Sequence, residues 1–530
     1  MKIKIYLYTI AATMMMSSCS SFLKEYSQDT DYVRSWEDLN ELLIGDGYLP
    51  QFQSDYLSDV GDNQYFIHFL GDELDENTTT YSSDYMQYDG KERVFGYFTW
   101  QARSGQNDSY TGFNKENDNW EQIYKHINVA NNIIFSAKDL SEATQSDKLG
   151  KEKVDGEARF LRAYYYFFLV NLYGKAYTPN TASTDLGVPI KISETVEDKS
   201  FQRNTVQECY DLILSDLQTA ETELAEYGSQ KSIYRADSTA VNFLLSRVYL
   251  YMQNWKKASE YAQKVIDSHP DLVQLNSLQQ NKGIVSTSSV ENIFSMGSNA
   301  LCDITLDQYK SFTITDSIYN LYSDNDLRKT KFFWTYGKFH GYKKLDMVNT
   351  DLTQTEDMPD YYFYAYESPW SKRMSDMSDK FLFRSSEAYL IKAEAEAYMG
   401  HEEEARTLIN TLRQYRYKPG TDYKVTDSGE DLVKLIRDER ERELCLEGQR
   451  WFDLRRYGVC EKYPESKSIT HHYYYYVNRE SDVKTSCHTF TLEPNDWGYV
   501  LPIPHETLTT NIGMQDNVRG DRTYKVETVE

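Results

Sequence analysis

Forty-six tyrosines and eight tryptophans are the side chains best equipped for chemistry in this sequence, and the chemistry they suit is recognition. A tyrosine ring offers a flat apolar face, and its hydroxyl both donates and accepts. That combination holds polar ligands with C–H-bearing faces, of which sugars are the usual example. The rings gather in two stretches. Tyr81, Tyr85, Tyr88, Tyr97 and Trp100 lie in the first, and Trp334, Tyr336, Tyr342, Tyr361, Tyr362, Tyr364 and Trp370 in the second. Asp72, Asn77 and Arg328 stand near them as partners for sugar hydroxyls. The expected glycan-binding set is Asp72, Asn77, Tyr81, Tyr85, Tyr88, Trp100, Arg328, Trp334, Tyr336, Tyr342, Tyr361 and Trp370. The run Tyr473–Tyr476 is set aside, because alternation along a strand would bury half of it.

Bond-making chemistry has thinner support. The nine histidines are dispersed, and His471-His472 is the only adjacent pair. Glu402-Glu403-Glu404 after His401 suits a helix start better than a metal cage. Metalloprotease, Walker, dinucleotide-binding and nucleophile-elbow motifs are missing. Carboxylates are so abundant that some pair must meet the spacing of glycoside hydrolysis, but abundance alone specifies no site. Asp72–Asp75 and Ser323–Asp326 have oxygen ligands for calcium without the ordered spacing of an EF-hand. No catalytic residue, metal or cofactor is expected. Cys209, Cys302, Cys445, Cys460 and Cys487 are odd in number and widely spaced, which suits neither a disulfide framework nor a zinc site.

The first residues address the chain. Lys2 and Lys4 precede an apolar stretch from Ile5 to Met16, and Met16-Ser17-Ser18-Cys19 closes it. The stretch is too short to span a bilayer and fits a secretory signal. The cysteine makes it a lipoprotein signal over residues 1–18, with Cys19 acylated and first in the mature chain. Attachment would be to membrane lipid through that acyl group alone. Loss of Lys2 and Lys4 takes the net charge from −25 to −27. A field of that sign repels phosphate backbones and argues against nucleic acid.

The elements that must position the aromatic residues are mostly helices. Helical periodicity runs from about Asn119 to Leu140 and through Gly156–Gly174, the latter apolar enough to be buried on most sides. Thr205 with Glu208 forms a capping box opening a further helix to Tyr227. Ser246–Ala258 aligns without gaps on Ala393–Ala405, sharing Tyr-Met before the turn and an alanine at the end. This is the pattern of a tetratricopeptide-type helical hairpin. A scaffold over about 19–47, 113–269 and 373–460 is therefore interrupted by an irregular, ligand-binding lobe over about 48–112 and 270–372. A C-terminal segment covers 461–530, and the whole forms one mainly α body from residue 19. In the charged stretch Ile436–Gly458, Arg437/Glu441 and Asp438/Arg442 can pair along one helix face. Glu447, Arg450 and Asp453 read there as structural ions, with Trp451 as an anchor. Glu157, Arg159 and Arg162 read the same way.

Several stretches in order resemble the SusD/RagB family of outer-membrane nutrient-binding lipoproteins. They are Ser21–Asp29, Leu42–Leu49, WEQIYKHINVANNII (Trp120–Ile134), GEARFLRAYYYFFLVNLYG (Gly156–Gly174), and Gly187–Ile190 with Arg203–Ala220. SDNDLRKTKFF (Ser323–Phe333), Ile436–Gly458 and YVLPIPHETLTTN (Tyr499–Asn511) complete the series. One departure is Asn517-Val518-Arg519, where relatives often close with Asn-Pro-Gly. The resemblance implies a cell-surface protein that captures oligosaccharides and delivers them, as a lid, to a SusC-like TonB-dependent transporter without catalysis. Two other readings are a peptide-uptake protein of the same architecture and a helical-repeat scaffold without a nutrient ligand.

Overall fold

The computed structural model describes residues 33, 35–50, 64–78, 85–226, 232–279, 282–305, 311–346, 377–478, 481 and 483–529. Its helices are α1 (Trp36–Leu42), α2 (Tyr85–Phe98), α3 (Asn117–Ala137), α4 (Gln145–Tyr173), α5 (Val206–Leu224), α6 (Ser238–Tyr251) and α7 (Trp255–Ser268). Short α8 (Leu301–Thr305), α9 (Asp316–Tyr319) and α10 (Arg328–Lys331) follow. The chain continues with α11 (Ser385–Met399), α12 (Glu402–Gln414), α13 (Gly429–Leu444), α14 (Arg450–Gly458) and α15 (His505–Thr510). The strands are β1 (Leu74–Glu76), β2 (Asn292–Ser295), β3 (Phe312–Ile314), β4 (Phe333–Tyr336), β5 (Phe339–Tyr342), β6 (Leu382–Arg384), β7 (Ile469–Tyr476), β8 (Lys484–Leu492) and β9 (Tyr524–Thr528). They form antiparallel pairs β1–β3, β2–β6 and β4–β5 and the antiparallel sheet β7–β8–β9. The fold is mainly α. No helix among the described residues is long and apolar enough to cross a membrane.

Helix α4 is the axis of the first half. Every residue from Phe160 to Gly174 is buried, as expected of a helix that is apolar all round. Its start is fixed by a capping box between Thr144 and Asp147. Near that end a Cβ on Gly150 would lie 2.2 Å from the Trp36 ring, so α1 lies directly on the α4 backbone. The expected box at Thr205 is present: the Glu208 N–H donates to Thr205 Oγ1 at 3.1 Å, and the Thr205 N–H donates to Glu208 Oε2 at 2.7 Å.

The two matched segments fold as hairpins α6–α7 and α11–α12 with one turn geometry. Gln253 and Gly400, equivalent in the sequence alignment, both take left-handed backbone, at φ 59° and 84°. The next residues, Asn254 and His401, share φ near −87° (−88° and −86°) and precede the second helix of each pair. Ala258 and Ala405 are wholly buried, which lets the paired helices approach closely. The hairpins stack through Trp255 on Tyr398, ring centroids 4.0 Å apart.

A buried network of charges joins the chain on either side of the β4–β5 hairpin to α13. Glu443 on α13 accepts from Arg416 (2.8 Å), Arg384 (3.1 Å) and Arg328 (3.1 Å). Arg328 also pairs with Asp326 and Glu439, both at 2.7 Å. Lys344 donates to the Glu443 carbonyl at 2.9 Å and to Glu447 at 2.7 Å. Arg328 precedes the β4–β5 hairpin and Lys344 follows it, so both feet of the hairpin stand on one end of α13. Buried charges are tolerated only when paired and hydrogen-bonded in this way. The close contacts of the charged residues expected to pair four apart along α13 go to other partners. Arg437 meets Glu465 (2.7 Å), Glu441 meets Arg450 (2.8 Å) and Arg442 meets Glu439 (2.8 Å). Arg437 and Glu441 face neighbouring segments closely enough that these partners outcompete the fourth residue along, while Arg442 pairs one turn back within α13. Trp451 is buried and stacks on Tyr499. Glu157 pairs with Arg235, and Arg162 with Asp216.

Candidate functional site

Strand β7 reads ITHHYYYY, and its pleat sorts these residues between two faces. His471 and Tyr473 point inward. The His471 ring lies between Phe98 and Trp100, with centroids 4.1 and 4.4 Å away. The Tyr473 hydroxyl donates to Asp108 at 2.9 Å. His472, Tyr474 and Tyr476 lie on the opposite face, half-buried.

The outer edge of β7 is closed by side chains rather than by another strand's backbone. Asp75 on β1 accepts the His472 N–H at 3.0 Å, and Glu76 accepts the Tyr474 N–H at 2.8 Å. The second Asp75 oxygen lies 2.7 Å from His472 Nδ1. That hydrogen bond to Asp75 raises the imidazole above its ordinary value, against the effect of burial. Glu76 also pairs with Lys91 of α2 at 2.7 Å. Burial pushes the Glu76 carboxyl up and the Lys91 amine down, and their contact opposes both shifts. Lys484 lies 5.0 Å over the Tyr474 ring and Lys91 5.2 Å from the Tyr476 ring centre, within cation–π range. The result is a row of rings with polar tips, bordered by carboxylates and amines. Such a surface can stack on a flat ligand and bond its hydroxyls.

The same surface continues through β1 and β3 to the β4–β5 hairpin, where the His340 N–H donates to Thr313 at 2.9 Å. Trp334 and Tyr336 lie on β4, and Tyr85 and Tyr88 in the first turns of α2; for these four the backbone position alone is described. Of these elements α2 reaches the β7 row, through Lys91, whereas β4 is joined to it only by way of β5, β3 and β1.

Other expected site residues have core duties. Trp100 is 1% exposed and donates its indole N–H to the Leu70 carbonyl at 2.9 Å, which corrects the expectation of a ring open to ligand. Arg328 is wholly buried in the charge network, because three carboxylates compensate its desolvation. Tyr342 is buried at the end of β5. Asn77 is buried too, and its N–H donates to the Ser311 carbonyl at 2.8 Å. Asp72 is held well below the usual carboxylate range: despite burial, Arg450 at 2.7 Å and Lys467 favour its charged form. Tyr97 stacks on Phe66 at 4.5 Å. The loop carboxylates considered for calcium are also engaged, Asp75 by His472, Asp324 by Lys329 and Asp326 by Arg328. Cys19, Tyr81, Tyr361, Tyr362, Tyr364 and Trp370 lie outside the described residues. His472, Tyr474 and Tyr476 were not among the expected site residues, although the alternation that buries Tyr473 exposes its neighbours.

Comparison with known proteins adds a decisive observation. The SusD family model matches residues 271–519, and a second, described as starch-binding and associating with the outer membrane, matches residues 63–250. The chain belongs to the SusD family. SusD-like protein P2 of Formosa agariphila is 24% identical over 467 residues, covering 79% of this chain and 85% of that protein. Starch-binding protein SusD of Bacteroides thetaiotaomicron is 34% identical over 118 residues, 21% of this chain and 19% of its own. Among solved structures, a SusD-like carbohydrate binding protein from Bacteroides vulgatus superposes with a TM-score of 0.64 at 18% identity, covering 92% of this chain and 98% of that one. A SusD superfamily protein from Bacteroides thetaiotaomicron gives 0.63 at 21% identity, covering 92% and 100%. The fold is that of the SusD superfamily, and the family is one of starch- and glycan-binding proteins associated with the outer membrane.

Proposed function

We propose that this SusD-family chain is a cell-surface lipoprotein, acylated at Cys19, that captures oligosaccharides and passes them to a SusC-like TonB-dependent transporter. The match to a family model described as starch-binding supports a carbohydrate ligand. The observation that carries the reading to this chain is the row of His472, Tyr474 and Tyr476 on β7, bordered by Asp75 and Lys484, with α2, which bears Tyr85 and Tyr88, beside it. Capture is by stacking and hydrogen bonding, and no bond of the ligand is made or broken. Tyrosine rings supply the flat faces, while their hydroxyls and the charged groups around them meet the sugar hydroxyls. Release to the transporter follows from hinged opening of the chain over the barrel.

Isothermal calorimetry against a panel of plant and host oligosaccharides tests this. Saturable binding to one glycan class is expected. Removal of one stacking ring by Tyr474→Ala or Trp334→Ala should weaken it about five- to tenfold, since such a contact contributes about 1 kcal/mol. The circular dichroism melt of each variant should match the parent. Binding to peptides with silence across the glycans would overturn the carbohydrate reading and favour peptide uptake.

A further inference from the structure

The sheet β7–β8–β9 has two edges, and they are treated differently. The β7 edge is closed by the carboxylates of Asp75 and Glu76. Among the described residues β9 pairs with β8 alone. All five β9 residues are exposed, Val526 to 58% and Tyr524 to 41%. The strand contains no proline, and its pairing with β8 runs without a register shift. Natural proteins blunt such an edge with proline, a bulge, charged side chains or a cover; β9 has only the charges, Lys525 and Glu527, and these are of opposite sign.

The sequence of β9, Tyr-Lys-Val-Glu-Thr, is complementary to itself. Antiparallel pairing of two copies about Val526 sets Lys525 opposite Glu527 of the second copy and Glu527 opposite its Lys525. Tyr524 then faces Thr528, and Val526 faces Val526. Moving the register by two residues in either direction puts lysine against lysine or glutamate against glutamate. Directly opposed unlike charges stabilise a strand pair, and like charges destabilise it. The symmetric register is therefore the one that the charges select, and two-fold symmetry provides each favourable pair twice. We infer that β9 is a homodimerisation edge, on which a second copy of this chain pairs antiparallel about Val526 to build a continuous six-stranded sheet.

The expected association is weak. A five-residue edge buries less than the roughly 1,200 Å² of a standard interface, and each chain carries a net charge of −25. Salt confines that repulsion to about 8 Å at physiological ionic strength, so it does not reach across the body of the partner. Lys525 and Glu527 share a sheet face with Thr489 and Cys487, whose β7 partners are His472 and Tyr474. Pairing at β9 extends that face from one copy into the next.

Sedimentation equilibrium of the purified protein, from micromolar to near-millimolar concentration at physiological salt, tests the inference. A concentration-dependent dimer is expected. Lys525→Glu alone and Glu527→Lys alone should each weaken self-association roughly tenfold or more, because symmetry counts each change twice. An equimolar mixture of the two variants should recover the dimer, since each then supplies the charge that the other lacks. Both side chains are exposed, so the melting temperatures should stay with the parent. A monomer at every concentration overturns the inference. So does a dimer that is indifferent to both reversals, because its interface would lie elsewhere.

Discussion

His472 and Asp75 place a titrating pair at the border of the aromatic row. The hydrogen bond to Asp75 raises the imidazole pKa above its ordinary 6.5. A raised histidine contributes stabilisation that is full below its unfolded pKa and is lost as pH rises through the folded value. The Asp75–His472 contact is therefore expected to loosen as pH rises through that raised value. Carbon-detected titration of histidine-labelled protein should give His472 a pKa above 6.5, and Asp75→Asn should bring it back to or below that value. An unmoved resonance in Asp75→Asn would show that another group sets it. Single residues were the least legible scale in the sequence. Trp100 and Arg328 have the composition of ligand groups, yet each is claimed by partners distant in the chain: Leu70 and His471 for the tryptophan, Glu439 and Glu443 for the arginine. A side chain's type gives its chemistry, but only tertiary neighbours decide whether solvent or core receives it. Tyr474 was hidden for the opposite reason, since half of an alternating run is exposed and the sequence alone does not say which half.

Elements were read more reliably where local chemistry fixes them. Thr205 with Glu208 marks a helix start through bonds made within four residues, and the structure has both. The hairpin match between residues 246–258 and 393–405 extends to a shared left-handed turn at Gln253 and Gly400. Such backbone costs a non-glycine residue about 1 kcal/mol. Gln253 recovers part of this by accepting the Glu461 N–H at 2.9 Å, a bond that alanine cannot make. Gly400→Ala is accordingly expected to destabilise the protein by about 1 kcal/mol in urea unfolding, with an unchanged m-value. A neutral result would mean that the turn relaxes out of the left-handed region. Helix α2 was missed. Its sequence YMQYDGKERVFGYF carries two glycines and no sustained apolar stripe, so periodicity is weak there. Gly96 explains one of them: a Cβ would lie 2.2 Å from the Ser104 carbonyl oxygen, where the chain returns over the helix. Tertiary crowding thus wrote a residue that local propensity reads as a breaker.

Across the whole molecule, segments far apart in sequence share one set of buried ions, and the chain around the β4–β5 hairpin is bonded into it. Arg328 and the three carboxylates around it make this a matter of stability at low pH. Although burial would raise the Glu439 carboxyl, Arg328 and Arg442 hold it down at about 2. A depressed carboxylate contributes stability above its ordinary pKa of 4.5 and loses it as pH falls through the folded value. Acid unfolding is expected to develop between pH 4.5 and 2 as one transition seen alike by near- and far-ultraviolet dichroism. Arg328→Met leaves Asp326 and Glu439 without this partner and should cost about 3–5 kcal/mol at neutral pH, while moving acid unfolding to higher pH. Separate transitions for lobe and scaffold would refute their linkage. The order of family-like stretches made this architecture legible from the sequence. The ionic linkage was not legible, because charge spacing along α13 suggests intrahelical pairs and gives no sign of partners a hundred residues away.

The way the lobe is held at its ends bears on how such proteins diverge. Asp346 accepts from Lys282 and from the Gly283 N–H, and Asp379 accepts the N–H groups of Ala300 and Leu301. With Arg328 and Lys344 anchored on α13, the chain that leaves after Asp346 and returns by Asp379 does so from fixed points. Exposed positions on the hairpin between Arg328 and Lys344, such as Thr335 and Lys338, can vary while these anchors keep their bonds. New preferences can then arise there without a new solution to folding.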